Sequence, residues 1–205
     1  MKTVLLTGFE PFGGDDSNPS GEIARLLDGT VIANHRITGL ELACEFGKSL
    51  RQLRAHITRT EPSLVICLGL ASGRPAITPE RVAINIDDAR IPDNAGRQPV
   101  DKPVVRNGPA AYWSTLPIKA IVAALSEQGI AAQVSQTAGT FVCNHVFYGL
   151  MHELADTSIR GGFIHVPAPW NSSFTLDQLV AAIRIAIETA IRIKCDKRET
   201  GGATH

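Results

Sequence analysis

The run Thr3-Val4-Leu5-Leu6-Thr7-Gly8, answered downstream by Asn18-Pro19-Ser20, sets the reading of the fold. The first is a short apolar stretch closed by a glycine, as a buried strand requires. The second is a helix start, with Asn18 placed to cap and Pro19 suited to the first helical position. Ile23, Leu26 and Leu27 supply that helix's apolar face, and Gly29 ends it. The same alternation recurs along the chain. Residues 44–60 carry Phe46, Leu50, Leu53 and Ile57 at helical spacing before Pro62. Residues 64–68 (Leu-Val-Ile-Cys-Leu) form a second buried strand ending at Gly69. Further on, 117–125 reads as a helix, 131–137 as a strand, 142–154 as a helix and 162–166 as a strand. Thr175-Leu176-Asp177-Gln178 has the capping-box pattern and opens a long helix with Leu179, Ile183 and Ile187 on one face. Strand–helix alternation predicts one α/β domain over residues 1–205, a three-layer α/β/α sandwich around a largely parallel, twisted sheet. Its polar end, residues 197–205, reads as a frayed tail.

Composition narrows the function. The 205 residues hold 20 Lys and Arg against 20 Asp and Glu, for a formal net charge of zero. That balance argues against a nucleic-acid partner, whose phosphates demand an excess of cations. The longest apolar stretch, residues 64–71, is too short to cross a membrane. The amino terminus runs straight into a strand with no secretory signal pattern, so a soluble, cytoplasmic protein is expected. Cys44, Cys67, Cys143 and Cys195 form no CxxC pair, so the usual short-spaced metal and redox motifs are absent. Each is then a small core residue or a reactive thiol.

In such sheets ligands bind beyond the carboxyl ends of the strands. Four segments fall there. Gly8-Phe9-Glu10-Pro11-Phe12-Gly13-Gly14 has glycines like a phosphate turn but neither GxGxxG spacing nor a P-loop lysine, and its two phenylalanines suit an apolar ligand wall or the core. Gly69 to Arg74 runs on to Glu80 and into a long irregular region, with five prolines between Gly69 and Gly108. A region of that length is usually functional or mobile, although its polar residues (Asn85, Asp87, Asp88, Arg90, Asp93, Asn94) also suit turns and side-chain-to-backbone bonds. Thr140-Phe141-Val142-Cys143-Asn144-His145 puts Cys143 at a predicted helix start, where free N–H groups and the helix dipole favour a thiolate. Phe163-Ile164-His165-Val166-Pro167 puts His165 at a buried strand end. A Cys, a His and a Glu in segments beyond the carboxyl ends of the strands meet the requirement for nucleophilic catalysis with an oriented base. His145, beside Cys143, points about 100° away on a helix and is set aside as that base.

These residues resemble the pyroglutamyl peptidases type I (pyrrolidone-carboxylate peptidases). The likeness runs from Lys2 to about Ile193 and rests on Gly-Phe-Glu-Pro-Phe-Gly-Gly at 8–14, on Gly73-Arg74, Glu80, Ala83-Ile84-Asn85 and Arg90-Ile91-Pro92-Asp93-Asn94, on Phe141-Val142-Cys143-Asn144 and on His165-Val166-Pro167. The resemblance implies a cysteine exopeptidase that removes an N-terminal pyroglutamyl residue from peptides through a thioester. By that resemblance Cys143 is the nucleophile, His165 the base and acid, and Glu80 the residue that orients the imidazole. Phe9, Phe12, Ile91, Phe141 and Val142 match positions lining an apolar pocket for the lactam ring. Some members carry Gln where this chain has Leu70. No metal or organic cofactor is implied, and a homotetramer in the cytoplasm is. Arg90 is the expected second oxyanion donor beside the Cys143 N–H. An ordinary thiol has a pKa near ~8.5, and lowering it by two units through His165 and the helix end would need about 2.7 kcal/mol. The competing readings are a nucleoside phosphorylase-like enzyme of similar build, with Arg74 and Arg90 on phosphate, and a non-catalytic ligand-binding relative with Cys143 and His165 in the core.

Overall fold

A computed structural model describes residues 1–202. In chain order the elements are β1 (Lys2–Phe9), α1 (Pro19–Leu27), β2 (Val31–Ile32), β3 (His35–Leu42), α2 (Lys48–Thr60), β4 (Leu64–Leu70), β5 (Thr78–Pro79), β6 (Val82–Ile84), β7 (Ala111–Trp113), α3 (Ile118–Glu127), α4 (Val142–Leu154), β8 (Arg160–Val166), a 3₁₀ turn (Pro169–Asn171) and α5 (Leu176–Arg192). Six strands form the central sheet in the order β2-β3-β1-β4-β8-β5, and β6 and β7 form a separate antiparallel pair. The inner pairs β3–β1, β1–β4 and β4–β8 are parallel, while the short edge strands β2 and β5 are antiparallel to their neighbours.

Period-two side-chain placement sorts the strands onto two cores. Val4, Leu6, Ile66, Leu68, Ile164 and Val166 point to the face covered by α1, α3 and α5. Leu5, Phe9, Val65, Cys67 and Phe163 point to the face covered by α2 and α4. This is the single-domain three-layer arrangement expected from the alternation. The buried strands read as continuous apolar runs because both of their faces are covered. Gly8 serves that packing: a Cβ there would lie 2.0 Å from the Ser20 carbonyl oxygen, so α1 meets β1 backbone to backbone. The phosphate-turn likeness of the 8–14 loop thus has a packing origin at Gly8.

The local start signals hold. Asn18 accepts from Ser20 N, Pro19 opens α1, and Thr175 with Gln178 completes a capping box on α5. Two expectations change, and one strand was not foreseen. Residues 44–47 are not helical, because α2 begins at Lys48 after a Gly47 with φ of 75°. Residues 131–137 make only isolated bridges, Ala132 to Ile77 and Ser135 to Glu80, since β5 offers them too short an edge. His35–Leu42, which mixes charged and apolar side chains, is a full strand beside β1. Residues 197–202 run back against the start of α3: Lys119 Nζ donates to the carbonyls of Lys197 and Glu199, and Arg81 to that of Gly201 at 2.6 Å. The rest of the expected tail, 203–205, lies outside the described residues. No helix among the described residues is long and apolar enough to cross a membrane.

Candidate active site

The carboxyl ends of β4 and β8 bring the chemistry together. Cys143 is the second residue of α4, whose start at Phe141 is extended and carries no side-chain cap. Its first-turn N–H groups are therefore left for another acceptor. The Cys143 sulfur rests against Gly69, where a Cβ would lie 2.9 Å from Sγ and 2.7 Å from the Phe163 ring. Only glycine leaves the thiol its place. Gly69 pairs in register with His165 on β8, so thiol and imidazole share one strand end. The His165 Nδ1–H donates to Glu80 Oε1 at 2.7 Å, and both side chains are buried. A carboxylate only accepts, so this bond fixes the proton on Nδ1 and leaves Nε2 free to take one. Glu80 is set by the edge of the sheet: Thr78 pairs with His165, Pro79 with Ile164, and Glu80 N donates to Phe163 O at 2.9 Å. Arg74, considered above as a phosphate ligand, instead donates to Glu80 Oε1 and Thr78 Oγ1, both at 2.6 Å, and to Thr137 O at 2.8 Å.

Aromatic rings stand beside this edge. Phe141 lies 5.9 Å from Phe12 and 5.5 Å, edge-on, from Phe46. Ile91 approaches the 8–14 loop, its Cδ1 3.8 Å from where a Gly13 Cβ would be. Phe9 and Val142 are wholly buried behind them, and Phe9 packs on Phe163. Arg90 is exposed, in a segment tied to α4's approach by Asp88 N to Thr140 O and by Thr140 Oγ1 to Asp88 O. The polar motif residues are the ties of these loops. Glu10 Oε1 accepts from Cys44 N at 3.0 Å and from Asn94 Nδ2 at 2.8 Å, joining three loops. Asp93 accepts from Phe46 N, Ala95 N and Arg97 N. Asn144 bonds both the N–H and the carbonyl of Ile84 and reaches Ile86 O. His145 is spent on structure, with Nδ1–H on Asp87 at 2.8 Å and Nε2 accepting from Gly47 N at 2.9 Å.

The pyroglutamyl peptidase family model matches residues 2–193. The chain belongs to the pyroglutamyl peptidase family. It is 54% identical to the pyrrolidone-carboxylate peptidases of Bacillus cereus (strain 03BB102) and Bacillus anthracis (strain A0248), in each case over 100% of both chains. Its fold superposes on pyroglutamyl peptidase I from Bacillus amyloliquefaciens with a TM-score of 0.94, at 48% identity and over 97% and 99% of the two chains. For the pyrrolidone carboxyl peptidase of Thermococcus litoralis the TM-score is 0.91, at 39% identity over 94% of each. As a member of the pyroglutamyl peptidase family the chain is a cysteine peptidase, and neither the phosphorylase-like nor the non-catalytic reading is favoured.

Within this pyroglutamyl peptidase fold the electrostatics differ from the expectation of a depressed thiol. Burial, then the charge of Glu80, pushes the Cys143 thiol up to about 12, against the downward pull of Arg74 and its own backbone N–H. The helix end and the cation are outweighed although Cys143 is only partly buried, because its sulfur packs against Gly69 and the Phe163 ring. Cys67 is likewise pushed up to about 12 by burial, and Cys44 is raised by the same cause. Cys195 is exposed. Gly69, Phe46 and the true partner of Arg74 escaped the sequence. Gly69 was visible as a strand terminator but not as the thiol's neighbour, Phe46 was assigned to a helix face, and nothing local in Gly73-Arg74 marks a bond to Glu80.

Proposed function

We propose that Cys143, His165 and Glu80 act as nucleophile, base-then-acid and orienting carboxylate in removing the N-terminal pyroglutamyl residue from peptides. The observation that carries this reading is the bond from His165 Nδ1 to buried Glu80 at 2.7 Å, with His165 paired across the sheet to the glycine that holds the Cys143 sulfur. Because the resting thiol is raised, its proton stays on sulfur near neutral pH. His165 Nε2 removes that proton as the S–C bond forms, and the imidazolium is balanced by Glu80. The carbonyl electron pair moves onto oxygen, facing the uncapped start of α4, with the Cys143 N–H and Arg90 as donors. Collapse breaks the C–N bond, and His165 hands its proton to the leaving amine. Water, deprotonated by His165, then attacks the thioester, releasing pyroglutamate and the thiol.

A pyroglutamyl ring carries no ammonium, so its pocket needs apolar walls and amide-type hydrogen bonds, not an acidic anchor. Phe12, Ile91 and Phe141 supply the walls, with Phe9 and Val142 fixing them from the core. The reading extends to a cytoplasmic homotetramer by the likeness to the family. Release of naphthylamine from pyroglutamyl-β-naphthylamide tests it: turnover is expected in the native enzyme, and loss of at least about 10³-fold in Cys143→Ser and after iodoacetamide. Turnover surviving Cys143→Ser would overturn the assigned nucleophile.

A further inference from the structure

Every hydrogen bond to the Glu80 side chain falls on one oxygen. Oε1 accepts both the His165 Nδ1–H and Arg74 Nη1, at 2.7 and 2.6 Å, while Oε2 is buried and has no partner among the described residues. A carboxylate with no exposed surface, holding one neutral imidazole, would be an uncompensated buried charge, which proteins tolerate poorly. Arg74 is the cation that compensates it. Its guanidinium is itself fixed at two further points, Thr78 Oγ1 and Thr137 O. Thr78 is the residue paired with His165 in the sheet, and Thr137 precedes the loop that leads into α4 and Cys143. The planar fork therefore ties together the edge strand paired with that of the base, the carboxylate that orients the base and the approach to the nucleophile.

We propose that Arg74 is a positioning residue of this site, a fourth member that acts through Glu80, balancing the buried carboxylate and holding it in line with His165. This inference rests on the triad reading above.

Kinetics on pyroglutamyl-β-naphthylamide separate a positioning role from a merely structural one. Arg74→Gln should lower kcat by roughly 10- to 100-fold with KM changed less than about threefold, since no substrate contact is lost. Because the effect runs through Glu80, the same substitution in a Glu80→Gln background should cost less than about twofold. Guanidinium at millimolar concentration should restore part of the lost rate in Arg74→Ala, whose vacated site is partly open to solvent. Should glutamine at 74 not fold, Arg74→Lys carries the same test, keeping the charge but not the three-point fork and losing an intermediate amount of kcat. Unchanged kcat in Arg74→Gln, or an undiminished loss in the Glu80→Gln background, overturns the proposal. If the native enzyme does not cleave the naphthylamide, the proposed function falls, and the low-field proton resonance of His165 Nδ1–H decides on Arg74 alone. Its loss or upfield shift in Arg74→Gln supports the proposal, and an unchanged resonance overturns it.

Discussion

At the scale of single residues the site sets two demands against each other. Glu80 must be charged to orient His165, yet its charge helps keep the proton on Cys143. Orientation and thiol reactivity should therefore part company when the charge is removed. Glu80→Gln is expected to cut kcat by about 10²- to 10⁴-fold, the range set by loss of an oriented base. It is also expected to speed alkylation of Cys143 at pH 8 several-fold, because the largest charge opposing the thiolate is gone while Arg74 remains. Stopped-flow turnover and iodoacetamide inactivation, measured on the same preparation, check both. Alkylation slowing in step with turnover would mean that the reactive thiolate exists only as an ion pair with His165. Of the residues involved, Cys143 and His165 were legible in the sequence as a helix start and a buried strand end, whereas Glu80 took its role only from the resemblance to the family. Arg74 was visible as a cation but not as Glu80's partner, a pairing made only when β5 folds back onto β8.

Secondary-structure elements show the same division between local and distant information. The starts of α1 and α5 could be read directly, since cap and capped N–H lie within three residues of each other. The start of α3 could not. Pro117 offers no side-chain cap, and the carboxylate of Asp196 comes from beyond α5 to accept from Lys119 N at 3.1 Å and Ala120 N at 3.0 Å. This cap also brings a negative charge to the positive end of the helix dipole. Asp196→Ala is expected to destabilise the protein by about 1–2 kcal/mol. Asp196→Asn, which keeps an acceptor and loses the charge, should cost less. Urea unfolding of the three proteins measures the order. Equal stability of Asp196→Ala and the native chain would show that solvent caps α3 as well as the carboxylate does. The loop 43–47 is a like case: its spacing imitates a helical face, but Glu10, Asp93 and His145 claim its N–H groups and hold it open.

For the molecule as a whole, the layered α/β plan was legible because strands buried on both faces leave continuous apolar runs. The weakly patterned strands β2 and β3 and the edge pairings of β5 were not, being decided by neighbours distant in sequence. The same two-sided burial has a consequence for stability at alkaline pH. Cys67 on β4 and Cys44 near the site are buried, and burial is the first cause of their raised thiols. In the unfolded chain each would ionise near the ordinary value of a thiol, whereas in the folded chain each stays protonated well beyond it. Above pH 9 the unfolded state thus binds fewer protons than the folded state, and unfolding free energy falls as pH rises. Each thiol contributes a slope of roughly 1.4 kcal/mol per pH unit between its unfolded and folded pKa, so the pair contributes roughly 3 kcal/mol per unit. Below pH 9 their contribution is fully present and flat. Urea unfolding at pH 8, 9, 10 and 10.5 should show a plateau followed by this fall, and Cys67→Ala, compared with itself across the series, should show a shallower one. An identical slope in Cys67→Ala would mean that alkaline loss of stability comes from other groups, with the raised thiol of Cys143 first among them.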